Sequence, residues 1–420
     1  MWDRIVFRVN RLRERLWVRP LTFCLLSVVA ALLARFANGL EIADQLPAIN
    51  PDSIKILLSI TASSMLVIAT LAVASMVSAY ASAASTATPR AFSLLISDDV
   101  SKNALSIFMG AFIYTFVSLV ALENGFYQRG GNFVLFILTI AVLAWVILTF
   151  VRWVDWIARL GRIGTTVDKV EEATMSALCN RRLLPSLGGA AATNDVTQGT
   201  PVFATKIGYV QHVNMSALQA CAEAQETRVT VSAIPGAFAS PGRPLLHLEE
   251  SDINESEVDL GPMRDAFELG KKRVYDSDPR FGLIALSEIA SRALSPAVND
   301  PGTAIEIMGS FVRLFSEFTQ PLEEDENTEA KYDRVFVPLL SGRELLDDSF
   351  RPIVRDGAGI VELQVRVQKT LQSIASMGDK NLANAAKQMS RSALRRSELD
   401  MSFKHDIEAV ASAARWSADD

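Results

Sequence analysis

Four apolar stretches fall in the first 150 residues of this 420-residue chain, at residues 20–40, 54–81, 104–122 and 133–150. A bilayer core of about 30 Å takes roughly 20 apolar residues as a helix, and each stretch is about that long. In lipid there is no water to take up backbone N–H and C=O groups, so only a helix or a closed barrel satisfies them all. The sequence therefore predicts an α-helical membrane protein with four transmembrane helices, whose first partner is the lipid bilayer. The longer remainder is ordinary polar protein. It predicts a cytoplasmic α+β region: a small β-sandwich-like module followed by helices.

Basic residues set the expected orientation. Arg4, Arg8, Arg11, Arg13, Arg15 and Arg19 precede the first stretch, and Arg152, Arg159, Arg162 and Lys169 follow the fourth. The first connection carries Glu41, Asp44 and Asp52 with no basic residue, and the other two are mixed. Both ends are therefore expected in the cytoplasm. A cleaved signal peptide is the rival reading of the first stretch, through the small residues near Ala37. The long arginine-rich lead and Arg35 within the stretch argue against it.

Texture divides the chain further. Residues 1–19 place Arg4, Arg8, Arg11 and Arg15 on one helical face and Trp2, Ile5, Val9, Leu12 and Leu16 on the other. That suits an amphipathic interfacial helix, or simply a helix leading into the first span. Residues 20–158 form the expected four-helix membrane domain, with Trp153 and Trp156 at its cytoplasmic boundary as an aromatic belt. Residues 159–201 read as a cytoplasmic helix and a Gly/Ala/Thr/Asn-rich linker. Residues 202–258 read as the β-rich module, with strand-like runs at 202–213, 228–234 and 244–248 and a short helix at 215–224. A biotinyl- or lipoyl-carrier role would need a lysine at a hairpin tip. Lys206 is the one lysine in that module and lies in a strand-like run, so cofactor carriage is rejected. Residues 259–420 read as mainly helical, interrupted by an acidic loop with Glu323, Glu324, Asp325, Glu326 and Glu329. Arg391, Arg395 and Arg396 on a late helix are adequate for pairing with a partner.

Two groups of residues stand out as candidate sites. In the second stretch Ser59, Ser63, Thr70, Ala74 and Ser78 share one helical face. Small faces let helices approach closely in lipid. A hydroxyl stripe also suits a water-filled path in an oligomer. No Asp, Glu, Lys or His lies deep inside any stretch, which counts against an ion-coupled transporter. The second group falls in residues 267–318, where two Asp-Pro pairs, Asp278-Pro279 and Asp300-Pro301, start the two arms of a helical hairpin. Asp276, Asp278, Arg280, Arg292, Asn299 and Asp300 gather there. They read either as a polar site for a ligand or metal or a buried switch, or as helix caps with locally paired arginines, the simpler account, since Asp-x-Asp alone is a weak metal signal.

The rest of the chemistry is subtractive. Net charge is −6, from 41 basic and 47 acidic residues, so no polycationic surface for nucleic acid is implied. Cys24, Cys179 and Cys221 make neither a disulfide framework nor a metal site. The three histidines, His212, His247 and His405, fall in no catalytic motif, and no phosphate-binding glycine loop is present. No enzyme activity, metal or cofactor is expected.

The runs Thr88-Pro89-Arg90, residues 108–114, Gly208-Tyr209-Val210-Gln211 and, above all, Phe281-Gly282-Leu283 through Ala293-Leu294-Ser295-Pro296-Ala297-Val298-Asn299-Asp300-Pro301 resemble a family of predicted bacterial membrane proteins, domain of unknown function 2254. The resemblance extends over nearly the whole chain. Thr88 stands where the pattern has Ser, and His212-Val213-Asn214 where it has an Ile-Asp pair. It implies a multi-pass protein of the bacterial plasma (inner) membrane and brings no activity. Two functions of different class remain. One is an oligomeric channel or pore-like protein with a cytoplasmic regulatory domain. The other is a membrane-anchored interaction or sensory protein that binds a cytoplasmic protein or small ligand.

Overall fold

A computed structural model describes residues 18–33, 47–86, 88–96, 99–159, 162–192, 199–249, 259–321 and 330–418. Most of the expected interfacial helix, residues 34–40 of the first apolar stretch and the acidic run from Glu323 to Glu329 lie outside them. The chain divides into two compact units, Met1–Thr166 and Val167–Asp420.

The first unit holds α1 (Val18–Leu33), α2 (Pro51–Thr86), α3 (Pro89–Ile96), α4 (Asp99–Glu123) and α5 (Arg129–Arg159). Among the described residues three segments are long and apolar enough to cross a bilayer: Pro51–Ser82, Val100–Glu123 and Arg129–Arg159, with mean hydropathies of 2.3, 2.1 and 2.9. At 1.5 Å per residue even the shortest reaches about 36 Å. The first apolar stretch is helical and apolar over Pro20–Leu33. That is short of a full crossing within the described residues.

α4 is the central element, packed against α1, α2 and α5. Gly110 explains the close approach of α1, because a Cβ there would lie 3.1 Å from Phe23 Cβ. Phe108, fully buried on α4, meets Phe150 and Trp153 of α5 with ring centroids 6.5 and 6.3 Å apart. Trp153 is 4% exposed and also packs against Phe150, with ring centroids 6.1 Å apart. Lys55 near the start of α2 pairs with Glu123 at the end of α4, as antiparallel neighbours allow. α2 and α3 are joined by an edge-on contact of Tyr80 and Phe92.

The second unit opens with α6 (Ile163–Leu183), which starts just ahead of the division between units. There follow β1 (Gly189–Ala191), β2 (Thr200–Phe203), β3 (Gly208–Val213), α7 (Met215–Ala224), β4 (Val229–Val231), β5 (Phe238–Ala239), β6 (Pro244–Leu248), α8 (Gly261–Asp265) and β7 (Phe267–Gly270). Then come α9 (Pro279–Ala293), α10 (Pro301–Phe318), β8 (Tyr332–Val337), α11 (Gly342–Asp356), α12 (Val361–Ala375), α13 (Lys380–Asp400) and α14 (Lys404–Ala414).

The strands form a five-stranded sheet, β1-β8-β4-β6-β2, and a three-stranded one, β5-β3-β7. β8 runs parallel to both β1 and β4, and the other pairings are antiparallel. The strand-like run 202–213 is broken between β2 and β3, which enter different sheets. Strands also come from residues 189–191, in the stretch read as linker, and from 267–270 and 332–337. Both sheets and α7 contribute to one apolar core that includes Val202, Val210, Leu218, Val231, Leu246 and Val335.

The helical part begins with the hairpin of α9 and α10. Each arm starts at an aspartate N-cap followed by proline at the first helical position. Proline suits that position because its missing N–H would have no intrahelical partner there. Asn299 takes φ +50° to turn the chain between the arms, and the Asp300 amide donates to Ala293 O at 2.8 Å. α11 packs on α9 and α13, and α12 on α10, α13 and α14. The α12–α13 seam buries a polar knot. Gln368 Nε2 donates to Ser390 O at 3.1 Å, Ser390 Oγ to Gln368 Oε1 at 2.5 Å, and Ser417 Oγ lies 2.8 Å from Ser390 Oγ.

Candidate functional site

The small and hydroxyl face of α2 points out of the first unit. Ser63, Thr70, Ala74 and Ser78 are exposed and Ser59 is half-buried, whereas Ile54, Leu58, Thr61, Met65, Ala69 and Ala72 face inward. Packing within the chain therefore uses the opposite face. Ser63 Oγ donates to Ser59 O at 2.9 Å and Thr70 Oγ1 to Leu66 O at 2.8 Å. These bonds to carbonyls one turn back make the hydroxyls tolerable in lipid.

The six residues of the helical hairpin are not brought to one place. Asp278 and Asp300 begin successive helices and are separated by the whole of α9, about 22 Å for its length. Asp278 is 2% exposed and accepts from the Phe281 amide at 3.2 Å. Arg273 grips its carboxylate from two nitrogens, at 2.6 and 2.9 Å, and lies over the Phe281 ring. Burial raises the Asp278 pKa, with Arg273 and the Phe281 amide opposing. The turn after β4 approaches so closely that a Cβ on Gly236, at φ +94°, would collide with the Asp278 carboxylate. Arg181 of α6 is 5% exposed and donates to Pro338 O at 3.4 Å. Burial lowers its pKa to about 10 and the Asp278 charge opposes that fall, so it stays a cation at neutral pH.

Arg280 turns away from this node and joins α9 to α11. It reaches Asp348 at 2.6 Å and Glu344 at 2.9 Å. Asp276, Arg292 and Asn299 are exposed. Asp300 accepts from the Thr303 amide at 3.1 Å and the Thr303 hydroxyl at 2.5 Å. Those bonds, the hydroxyl first, lower its pKa. A cleft of about 520 Å³ beside Arg292 is lined by Glu288, Ser291, Ser295 and Asp356, with Ser291 bonded to Asp356.

Sequence reasoning missed Arg273, Arg181, Glu344 and Asp348. Arg273 sits within the stretch already singled out and carried a usable signal, five residues before a cap. The others are distant in sequence and carried none.

Among the described residues a serine–histidine pair is in contact: Ser232 Oγ lies 2.8 Å from His247 Nδ1. His247 is 6% exposed and burial lowers its pKa, so it is neutral at pH 7. No carboxylate is bonded to it among the described residues, and a triad needs one to orient the ring. Among the described residues no group of three His, Cys, Asp or Glu side chains is placed to hold a metal ion.

The family described as predicted membrane protein (DUF2254) matches residues 13–373. No curated protein and no solved structure matches the chain.

Proposed function

We propose a function for a chain that belongs to the family of predicted membrane proteins of domain of unknown function 2254: it is an oligomeric, pore-like protein of the bacterial inner membrane. Its copies meet through the small and hydroxyl face of α2, and its larger unit is a cytoplasmic regulatory domain. The first apolar stretch completes a fourth span, and both ends lie in the cytoplasm. The observation that carries the reading is the outward exposure of Ser63, Thr70 and Ser78 on a helix apolar enough to cross the bilayer. In lipid, apolar side chains give helices no reason to associate, while small faces do. A path lined by these hydroxyls forms only between copies.

The test is oligomeric state together with conductance. Single cysteines replacing Ser63 or Ser78 in the full-length protein should cross-link between copies in the membrane. The same protein in a planar bilayer should conduct. A monomer in membranes, with no cross-link at either position, would sink the reading.

A second reading, a membrane-anchored interaction or sensory protein, draws support from the 520 Å³ cleft beside Arg292 and Ser295. A monomer whose Arg292→Ala variant folds normally but loses its cellular phenotype would favour it.

A further inference from the structure

α11 and α13 pack side by side, and a cleft of about 300 Å³ runs along their seam. Arg343 and Arg351 of α11 and Arg396 of α13 stand at its rim, with Leu346, Val354 and Met389 beneath them. All three arginines are exposed, while the three apolar side chains are buried. One acidic side chain lines the cleft: Asp347, held by Arg351 at 2.7 Å. Arg343 and Arg396 have no carboxylate partner among the described residues. Three guanidiniums against one carboxylate leave an excess of two positive charges, in a chain whose net charge is −6.

The ordinary account of surface arginines is a solvated helix face, with each head free in water. Here two heads without a carboxylate partner, from different helices, share a concavity with an apolar floor. Guanidinium forks match phosphate oxygens and bind them in pairs. A phosphomonoester carries about −1.5 to −2 charges at pH 7, which balances the local excess. The cavity is at the small end of ligand sites, enough for a phosphate and a compact apolar group.

We propose that the α11–α13 cleft binds a small phosphate-bearing ligand, its phosphate between Arg343 and Arg396 and its apolar part on the Leu346–Met389 floor. The assignment stands whether or not copies meet through α2. Either a free phosphorylated metabolite or a phosphomonoester lipid headgroup supplies that chemistry.

The test uses the full-length protein in nanodiscs, with phenyl phosphate, inorganic phosphate and phenol as probes. Phenyl phosphate should bind at least tenfold more tightly than either part alone, since it alone meets both rim and floor. Arg343→Gln combined with Arg396→Gln should weaken it at least tenfold. Arg396→Lys, which keeps the charge and loses the fork, should weaken it less. Both positions are exposed and unpaired, so the unfolding temperature without probe should stay unchanged; if the double variant destabilises, Arg396→Gln alone serves. Nanodiscs containing phosphatidic acid assign the source. Competition with phenyl phosphate there means a lipid headgroup fills the cleft, and its absence means a soluble ligand does. Equal binding of phenyl phosphate to wild type and to the arginine variants, or no binding at all, overturns the proposal.

Discussion

Gly282 of α9 lies against Thr174 of α6, and a methyl group added there would enter the van der Waals shell of the threonine hydroxyl and sit 2.8 Å from its Cβ. Thr174 is fully buried, and its hydroxyl donates to Val170 O at 2.5 Å. It cannot turn away into solvent. In an isolated helix, alanine is favoured over glycine by about 1 kcal/mol. Overpacking a tight core costs about 1–3 kcal/mol, and the overlap with Oγ1 is deep enough to place this site at the upper end. Gly282→Ala should therefore destabilise the second unit by about 2 kcal/mol net. For a unit of this size that is a fall of roughly 4–8 °C in unfolding temperature.

Thr174→Ala supplies the internal control. It removes Oγ1 and Cγ2, the two atoms that a methyl on Gly282 meets besides Cβ. In that background Gly282→Ala should be close to neutral, because the remaining Cβ overlap roughly cancels the helix-propensity gain. The double-mutant cycle should return a coupling of about 1–2 kcal/mol, within the range for residues in direct contact. Thermal unfolding of the full-length protein in detergent, with hydrogen exchange of the α9 amides as a local readout, measures each corner. If Gly282→Ala stabilises by the same amount in both backgrounds, α6 and α9 do not approach as described, and the argument fails.

Two further outcomes follow from charged groups in the same unit. Asp300→Ala should cost about 1 kcal/mol through loss of the α10 cap, while Asp300→Asn should cost less, since asparagine caps about as well. The Asp300 pKa is lowered in the folded state, so its contribution is present above about pH 3.9 and is lost as pH falls through the folded value. Exchange rates at the Thr303 amide, measured against pH in wild type and Asp300→Ala, check both points. Glu171 of α6, bonded to Arg313 of α10 by two contacts, has its pKa lowered chiefly by that pair. Its share of stability is likewise present above about pH 4.3 and fades in acid. Glu171→Gln should flatten the acid limb of an unfolding-temperature profile, and an unchanged limb would show that other carboxylates set it.

The helical hairpin was legible because its cues are local. Asp278-Pro279 and Asp300-Pro301 write a cap and a first-turn proline into adjacent residues, and both helices start where those pairs say. The surroundings of Asp278 were not, because the charge of Arg181 and the Gly236 turn come near it only after the sheets and helices assemble. Strands were found within the runs 202–213, 228–234 and 244–248, but the pairing of the sheets was not legible, for a similar reason. β8 pairs in parallel with β1 and β4 across long separations, and no short-range turn signal marks such pairings. α11 went unread although Leu345, Leu346, Phe350, Ile353 and Val354 give it an apolar face. Pro352 inside that run reads as a breaker, yet the helix continues through it. For α2 the face was legible and its surroundings were not, since periodicity names the residues on a stripe without saying what lies opposite.

That last point decides where any path through the membrane could lie. The interior of the first unit has its own polar atoms, several of them bonded within the chain, while Ser101 Oγ and Ser118 Oγ of α4 are buried without a hydrogen-bond partner among the described residues. Ser106 Oγ and Thr115 Oγ1 on α4 donate to carbonyls one turn back, at 2.5 and 2.9 Å. Tyr114 OH meets Thr139 Oγ1 at 3.2 Å, and Tyr127 OH donates to Ala31 O at 2.8 Å. Water in a buried channel needs two to four polar partners, and groups already bonded to one another compete with it for them. Around them Phe108, Phe150 and Trp153 close the α4–α5 seam with packed rings. A single copy packs as a bundle about α4, and the hydroxyl face of α2 lies outside that packing. On the pore reading proposed above, a conducting protein is an assembly of copies and a monomer does not conduct. One measurement of assembly in the bilayer separates a pore from an anchor before any current is recorded.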